Sequence, residues 1–183
     1  ESAPRDEAAR YVRRFAADQQ SVLALEMQER AKSLGTIRTV AGTELTLAQF
    51  VGKKKVLLVV VRGFVGEVCT NCVAQTEVLA REQERLRARG VEAIVVFPGP
   101  ATDEAGFQKA IATTFDGSSP PCHVAFDADL RLTKILGIED AFAKPTFLLF
   151  DEQGQVRFAD VGQSRSDRSS AKAMQKMIES LDR

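Results

Sequence analysis

Six consecutive residues, Val56-Leu57-Leu58-Val59-Val60-Val61, carry no polar side chain, and four of the six are valine. A strand with one wet face alternates apolar and polar residues, whereas a strand covered on both faces reads as an unbroken apolar run. The run therefore predicts a central strand sandwiched between two layers, and with it the α/β class. Six residues is also far short of the roughly 20 that a helix needs to cross a bilayer, so the chain is read without a transmembrane segment.

The rest of the sequence fits that layering. Thr36 to Val40 and Glu44 to Leu47 flank Ala41-Gly42-Thr43 and predict a small hairpin. A helix is expected from about Cys69 to Arg89, closed by Gly90. A second buried strand, Glu92 to Phe97, is ended by Pro98-Gly99-Pro100. Asp103 to Phe115 reads as helix, His123 to Phe126 as a short strand, and Leu130 to Leu136 as a short helix stopped by Gly137. Thr146 to Phe150 and Gln155 to Val161 form a hairpin about Asp151-Glu152-Gln153-Gly154. Ser166 or Asp167 caps a last helix with Ala171, Met174, Ile178 and Leu181 on one face. Ahead of all this, residues 5 to 34 hold a helical period through Ala8, Tyr11, Val12, Phe15, Val22, Leu23, Met27, Ala31 and Leu34. The polar stretch Asp18 to Ser21 divides that helix, and Gly35 ends it. We therefore expect an N-terminal helical arm over 1–35 and an α/β domain over 36–183.

Composition narrows the function. Lys plus Arg and Asp plus Glu both number 25, so no net field steers the chain to nucleic acid or to an anionic membrane. No stretch reads as a signal peptide. The opening Glu1-Ser2-Ala3-Pro4 reads as a trimmed or processed end and favours an exported, periplasmic protein over a cytoplasmic one. Three cysteines are too few for a disulfide scaffold. Two of them, Cys69 and Cys72, stand three positions apart, which suggests redox chemistry before a metal half-site or a structural staple.

Their position strengthens the redox reading. In an open α/β sheet, ligands gather beyond the carboxyl ends of the strands, and Arg62 to Cys72 follows the central strand directly. Two thiols in the first turn of a helix lie close enough to form a disulfide. The positive helix end favours the thiolate of the first thiol, and the thiolate is the attacking species. Cys69 is thus expected as the exposed nucleophile and Cys72, one turn in, as the resolving thiol. Neither Thr70 nor Asn71 is proline, so both keep an amide donor at this turn. Glu67 could accept a thiol proton, although a carboxylate there also opposes the thiolate. Arg62 either favours the thiolate or caps the strand end. Cys122 and His123 form the only other reactive pair. Cys122 reads foremost as a small buried hydrophobe, with a second resolving thiol or a metal ligand as the alternatives.

From about residue 36 to 162 the chain resembles the redoxin branch of the thioredoxin superfamily. That branch includes the alkyl hydroperoxide reductase/thiol-specific antioxidant proteins and the TlpA-like and ResA-like disulfide reductases. The matching pieces are the strand Val56 to Val61, then Arg-Gly-x5-Cys-x-x-Cys, then Phe126-Asp127-Ala128-Asp129 through Leu136-Gly137-Ile138, and Lys144-Pro145-Thr146 through Gly154. The resemblance implies a thioredoxin-like fold, with a central mixed sheet flanked by helices and an N-terminal helical extension. It also implies that Pro145 is a cis-proline lying against the cysteines and that Lys144 offers its backbone to an extended substrate. Two departures stand out. Peroxiredoxins carry Pro-x3-Thr-x2-Cys around the peroxidatic thiol, whereas this chain has Arg62 and Gly66 at the proline and threonine positions.

The leading expectation is a thiol–disulfide oxidoreductase that exchanges electrons with a protein disulfide or dithiol partner and is regenerated by an upstream reductant, with no cofactor. The enzymatic alternative is a peroxiredoxin-like thiol peroxidase with Cys69 peroxidatic. Two further readings are a Sco-like metal-binding domain using the cysteines and His123, and a non-catalytic fold that binds a partner through its arm.

Overall fold

A computed structural model describes residues 17–64, 69–164, Asp167 and Glu179 of the chain. Residues 1–16 of the expected arm, with Ala8, Tyr11, Val12 and Phe15, lie outside the described residues, as do Glu67 and all of the expected last helix but Asp167 and Glu179. The elements are α1 (Ala17–Ala31), β1 (Ile37–Arg38), β2 (Glu44–Leu45), β3 (Lys55–Val60), α2 (Thr70–Ala88), β4 (Val91–Gly99), α3 (Glu104–Thr114), β5 (His123–Ala128), α4 (Arg131–Leu136), β6 (Glu139–Asp140), β7 (Phe142–Ala143), β8 (Thr146–Phe150) and β9 (Val156–Val161). Among the described residues no helix is long and apolar enough to cross a membrane.

The apolar run forms the middle of a five-stranded sheet in the order β5-β4-β3-β8-β9. β3, β4 and β5 are parallel, with Val60 opposite Val96 and Ile94 opposite His123. β8 runs antiparallel to β3, and β9 antiparallel to β8. Val56 through Val60 are at most 2% exposed, so the central strand is covered on both faces. Side chains alternate between two cores, as the two-residue period of a strand requires. Leu57, Val59 and Val61 pack with α2 and α3, while Val56, Leu58 and Val60 pack with α1 and α4.

Local chemistry explains most of the element ends. Gly90 adopts φ +70 just past α2, where a residue with a Cβ would be strained. The first backbone N–H groups of α4 need acceptors. The buried Asp127 supplies them, accepting from Leu132 N–H at 2.7 Å, Thr133 N–H at 2.9 Å and the Thr133 hydroxyl at 2.8 Å. α1 is anchored by Ala24, Met27 and Ala31 in the second core, and the Gln28 side chain accepts from Val156 N–H of β9 at 2.6 Å.

Three expectations need correcting. Asp18 to Ser21 does not divide the helix; all four residues lie inside α1. β4 does not stop at Phe97 but continues through Pro98 and Gly99, opposite Asp127 and Ala128. Proline is tolerated there because its carbonyl, and so its nitrogen, faces past the end of β3 toward Phe64, whose N–H donates to Pro98 O at 2.9 Å. Finally, Glu139 to Ala143, unassigned in the sequence, form the two-stranded hairpin β6–β7.

Candidate active site

The site begins where β3 runs out. Val61 N–H still donates to Val96 O at 3.0 Å, but Arg62 turns its carbonyl to Ala143 N–H of β7 at 3.1 Å. Gly63 adopts φ +126, and a Cβ there would collide with the Pro98 carbonyl oxygen and crowd Phe142 Cβ at 3.1 Å. Only glycine fits. Phe64, 4% exposed, then locks the turn. Its ring meets Phe107 edge-on at 5.9 Å, and Phe107 in turn contacts Phe97 at 4.9 Å and Phe126 at 5.0 Å. An aromatic cluster thus fixes the stem of the loop that leads to the cysteines.

Cys69 is the N-cap residue of α2, with φ −61 and ψ 110. Its carbonyl accepts from Cys72 N–H at 2.8 Å and Val73 N–H at 3.0 Å, closing the first turn. Its side chain makes no capping hydrogen bond. Thr70 and Asn71 are exposed on this turn, where a helix presents its unbonded N–H groups and positive end. Cys69 is partly buried, whereas Cys72 is fully buried and belongs to the core beneath α2. The Thr76 hydroxyl donates to Cys72 O at 2.8 Å. All three cysteines are thiols in this structure. Arg62, half-buried at the end of β3, encloses an Nε with no hydrogen-bond partner.

The structure departs from the resemblance at Lys144 and Pro145. Thr146 pairs with Val60, and Ala143 with Arg62, which places this segment beside the carboxyl end of β3. The Lys144–Pro145 bond, however, is trans, since the described residues contain no cis peptide. Trans is the ordinary preference of an X–Pro bond by about 0.5–1 kcal/mol. The Lys144 backbone is also already engaged. Its N–H donates to Ile138 O at 2.8 Å, and its carbonyl accepts the Thr146 hydroxyl at 2.9 Å. The β6–β7 hairpin is what holds that amide, and nothing in the sequence announced it: its turn residue, Ala141, adopts φ +55 without being glycine or asparagine.

Cys122 and His123 stand at the start of β5, with His123 opposite Ile94 midway along the sheet and its ring turned toward Glu92. Glu92, 5% exposed, binds Arg87 at 3.1 Å and Lys54 at 3.5 Å, with His123 Nε2 at 3.7 Å. Arg87 sits near the end of α2, 15 residues beyond Cys72, or roughly 22 Å at 1.5 Å per residue. His123 stands two strands from β3 and level with its middle rather than its carboxyl end, so the register does not bring Cys122 and His123 to the first turn of α2. Among the described residues no three His, Cys, Asp or Glu side chains are grouped to hold a metal ion, so nothing described supports the Sco-like reading. Burial pushes the Cys122 thiol up to about 11, only partly offset by a backbone hydrogen bond and by Arg87. Burial thus disfavours the thiolate, the reactive form, at Cys122.

The family model described as Redoxin matches residues 26–174, most of the chain. The chain belongs to the redoxin family. It is a redoxin-type enzyme, a thiol peroxidase or thiol oxidoreductase, which works with a thiol-based redox partner. Similar solved structures share its thioredoxin-like fold. The reduced 2-Cys peroxiredoxin of Plasmodium vivax is 17% identical with a TM-score of 0.65, over 81% of this redoxin and 77% of that chain. A peroxiredoxin-like protein from Aquifex aeolicus is 15% identical, TM-score 0.61, over 80% and 82%. Mycobacterium tuberculosis AhpC is 16% identical, TM-score 0.59, over 76% and 75%. No functionally curated protein matches this redoxin.

Proposed function

We propose that this redoxin is a thiol–disulfide oxidoreductase whose working pair is Cys69 and Cys72. One observation carries the reading: the two thiols share the first turn of α2, one partly exposed at the N-cap and one fully buried behind it. The Cys69 thiolate attacks one sulfur of a substrate disulfide. A mixed disulfide forms and one substrate thiolate leaves. Cys72 then gives up its proton and attacks Cys69 Sγ, the second substrate thiolate leaves, and the pair is left as a disulfide. Two electrons pass to the substrate, and a reductant restores the dithiol. The positive end of α2, the amides of Thr70 and Asn71, and Arg62 favour the anionic sulfur, while burial holds Cys72 back until the mixed disulfide forms.

The two cysteines have unequal assigned roles, so their variants must differ. Cys72→Ser should accumulate a mixed disulfide at Cys69, visible as an adduct by intact-protein mass spectrometry. Cys69→Ser should lose turnover entirely. A Cys72→Ser protein that gathers no adduct from any disulfide, yet consumes peroxide far faster than free cysteine does, would transfer the assignment to a thiol peroxidase with Cys69 peroxidatic.

A further inference from the structure

β5 is an edge of the sheet, and the chain around β1 covers only part of it. Val40 N–H donates to Val124 O at 2.8 Å, and Thr39 bridges Ala125. Ahead of Thr39 the two segments part. Arg131, the first residue of α4, holds the departing end: its guanidinium donates to Leu34 O at 3.0 Å and to Thr36 O at 2.7 Å. The gap between them is a cavity of about 210 Å³, lined by Ile37, Arg38, Val96, Phe126, Arg131 and Leu132. Its walls are of two kinds. Ile37, Val96 and Leu132 are buried and apolar, whereas Arg38 and Arg131 are cations. Among the described residues Arg131 bonds carbonyls and no carboxylate. A guanidinium carries five N–H donors, so these two bonds leave three. Arg38 meets Glu44 at 3.6 Å with its side chain 71% exposed, a pair that water and salt weaken. Asp127 also borders the cavity, but it is buried and spends both oxygens on Leu132 and Thr133 of α4.

Two guanidinium groups beside an apolar floor suit an anion that carries an apolar body. The planar fork of arginine matches a carboxylate with two parallel hydrogen bonds, and inorganic phosphate would leave the floor bare. Size narrows the body further. A cavity of about 150 Å³ already holds one benzene ring, while sites for drug-sized molecules begin at about 300 Å³. We propose that this cavity binds a small carboxylic acid, with its carboxylate on Arg38 and Arg131 and a body about one ring in size over Val96 and Leu132. The site is separate from the thiol pair. Ile37, Val96 and Leu132 belong to the core shared by α1 and α4, whereas Cys69 packs against the core beneath α2. It therefore stands or falls independently of the dithiol–disulfide reading.

The test titrates benzoate, benzamide and inorganic phosphate into the isotope-labelled full-length protein at constant ionic strength, read by amide chemical shifts. Benzoate should saturate, with its shifts centred on Arg38, Phe126 and Ala128 and a Kd in the millimolar range or below. Benzamide keeps the ring and lacks the charge, and phosphate keeps the charge and lacks the ring. Each should bind at least about tenfold more weakly than benzoate. Arg131→Gln should weaken benzoate, but it also releases Leu34 and Thr36, so the deciding variant is Arg38→Gln, an exposed position outside both cores. It should weaken benzoate about fivefold or more. Cys69→Ser should bind benzoate as the wild type does. Equal affinity for benzamide would reduce the cavity to an apolar gap, and equal affinity for phosphate would reduce it to a general anion patch. Either outcome overturns the proposal, as does an unchanged affinity in Arg38→Gln, a loss of binding in Cys69→Ser, or a failure of benzoate to saturate at millimolar concentration.

Discussion

Gly63 and His123 show how single residues carry physical consequences that composition hides. At Gly63 both the backbone angle and the Pro98 carbonyl exclude a side chain. Gly63→Ala should therefore cost about 2 kcal/mol or more, well beyond the gain from stiffening the unfolded chain, as read from the urea midpoint. His123 is different because its environment changes with pH. Burial lowers its pKa below 6.5; Glu92 pulls the other way, while Arg87 and Lys54 add to the lowering. The unfolded chain therefore takes up the proton first as pH falls. Stability should be full above about 6.5 and decline below it, until the folded imidazole also protonates. Urea midpoints from pH 7.5 to 5.5 should show that decline in the wild type and a shallower one in His123→Gln. Equal slopes would mean that the site contributes nothing to acid sensitivity.

At the scale of elements, α2 and the β6–β7 hairpin stand at opposite ends of what a sequence can announce. The start of α2 was legible at Cys69 and its end at Gly90, since an unbonded first turn and a left-handed stop residue leave local marks. The hairpin left none. Its turn residue Ala141 pays a left-handed backbone cost of roughly 1–2 kcal/mol, sustained by tertiary bonds such as Lys144 N–H to Ile138 O. Because the side chain of Ala141 is exposed, Ala141→Gly should raise stability by up to about 1 kcal/mol in thermal unfolding. A loss of stability would show that the methyl group makes a contact that matters more than the backbone strain. The overrun of β4 through Pro98 has a similar origin. Proline stops a strand only where its missing N–H is wanted, and beyond the end of β3 it is not.

Across the whole molecule, the thiol pair and the buried charge cluster occupy different parts of the sheet. Cys69 and Cys72 lie at the carboxyl end of β3, above the core shared by α2 and α3. Glu92, Arg87, Lys54 and His123 form the charge cluster. α1 serves the second core, and Met27, 1% exposed, is its deepest side chain there. Met27→Ala should cost about 2–5 kcal/mol in denaturant unfolding while leaving single-turnover thiol loss unchanged in the folded protein. A cost near zero would mark α1 as an appendage rather than part of the fold.

The residues by themselves determined the layering and put two thiols in the first turn of one helix. An unbroken apolar run has only one soluble arrangement, covered on both faces, and two cysteines three apart at a helix start need no distant partner to meet. What the residues left open was everything set by long-range pairing. Only the folded chain decided that Cys122 and His123 stand at the start of β5, two strands away from β3, that Lys144–Pro145 is trans, and that the backbone of Lys144 and Pro145 is engaged with Ile138, Thr146 and Gly162. The Pro145–Gly162 bond joins positions 17 residues apart, and the Ala143–Arg62 bond that sets the segment against β3 joins positions 81 apart; local patterns carry no record of bonds of that reach.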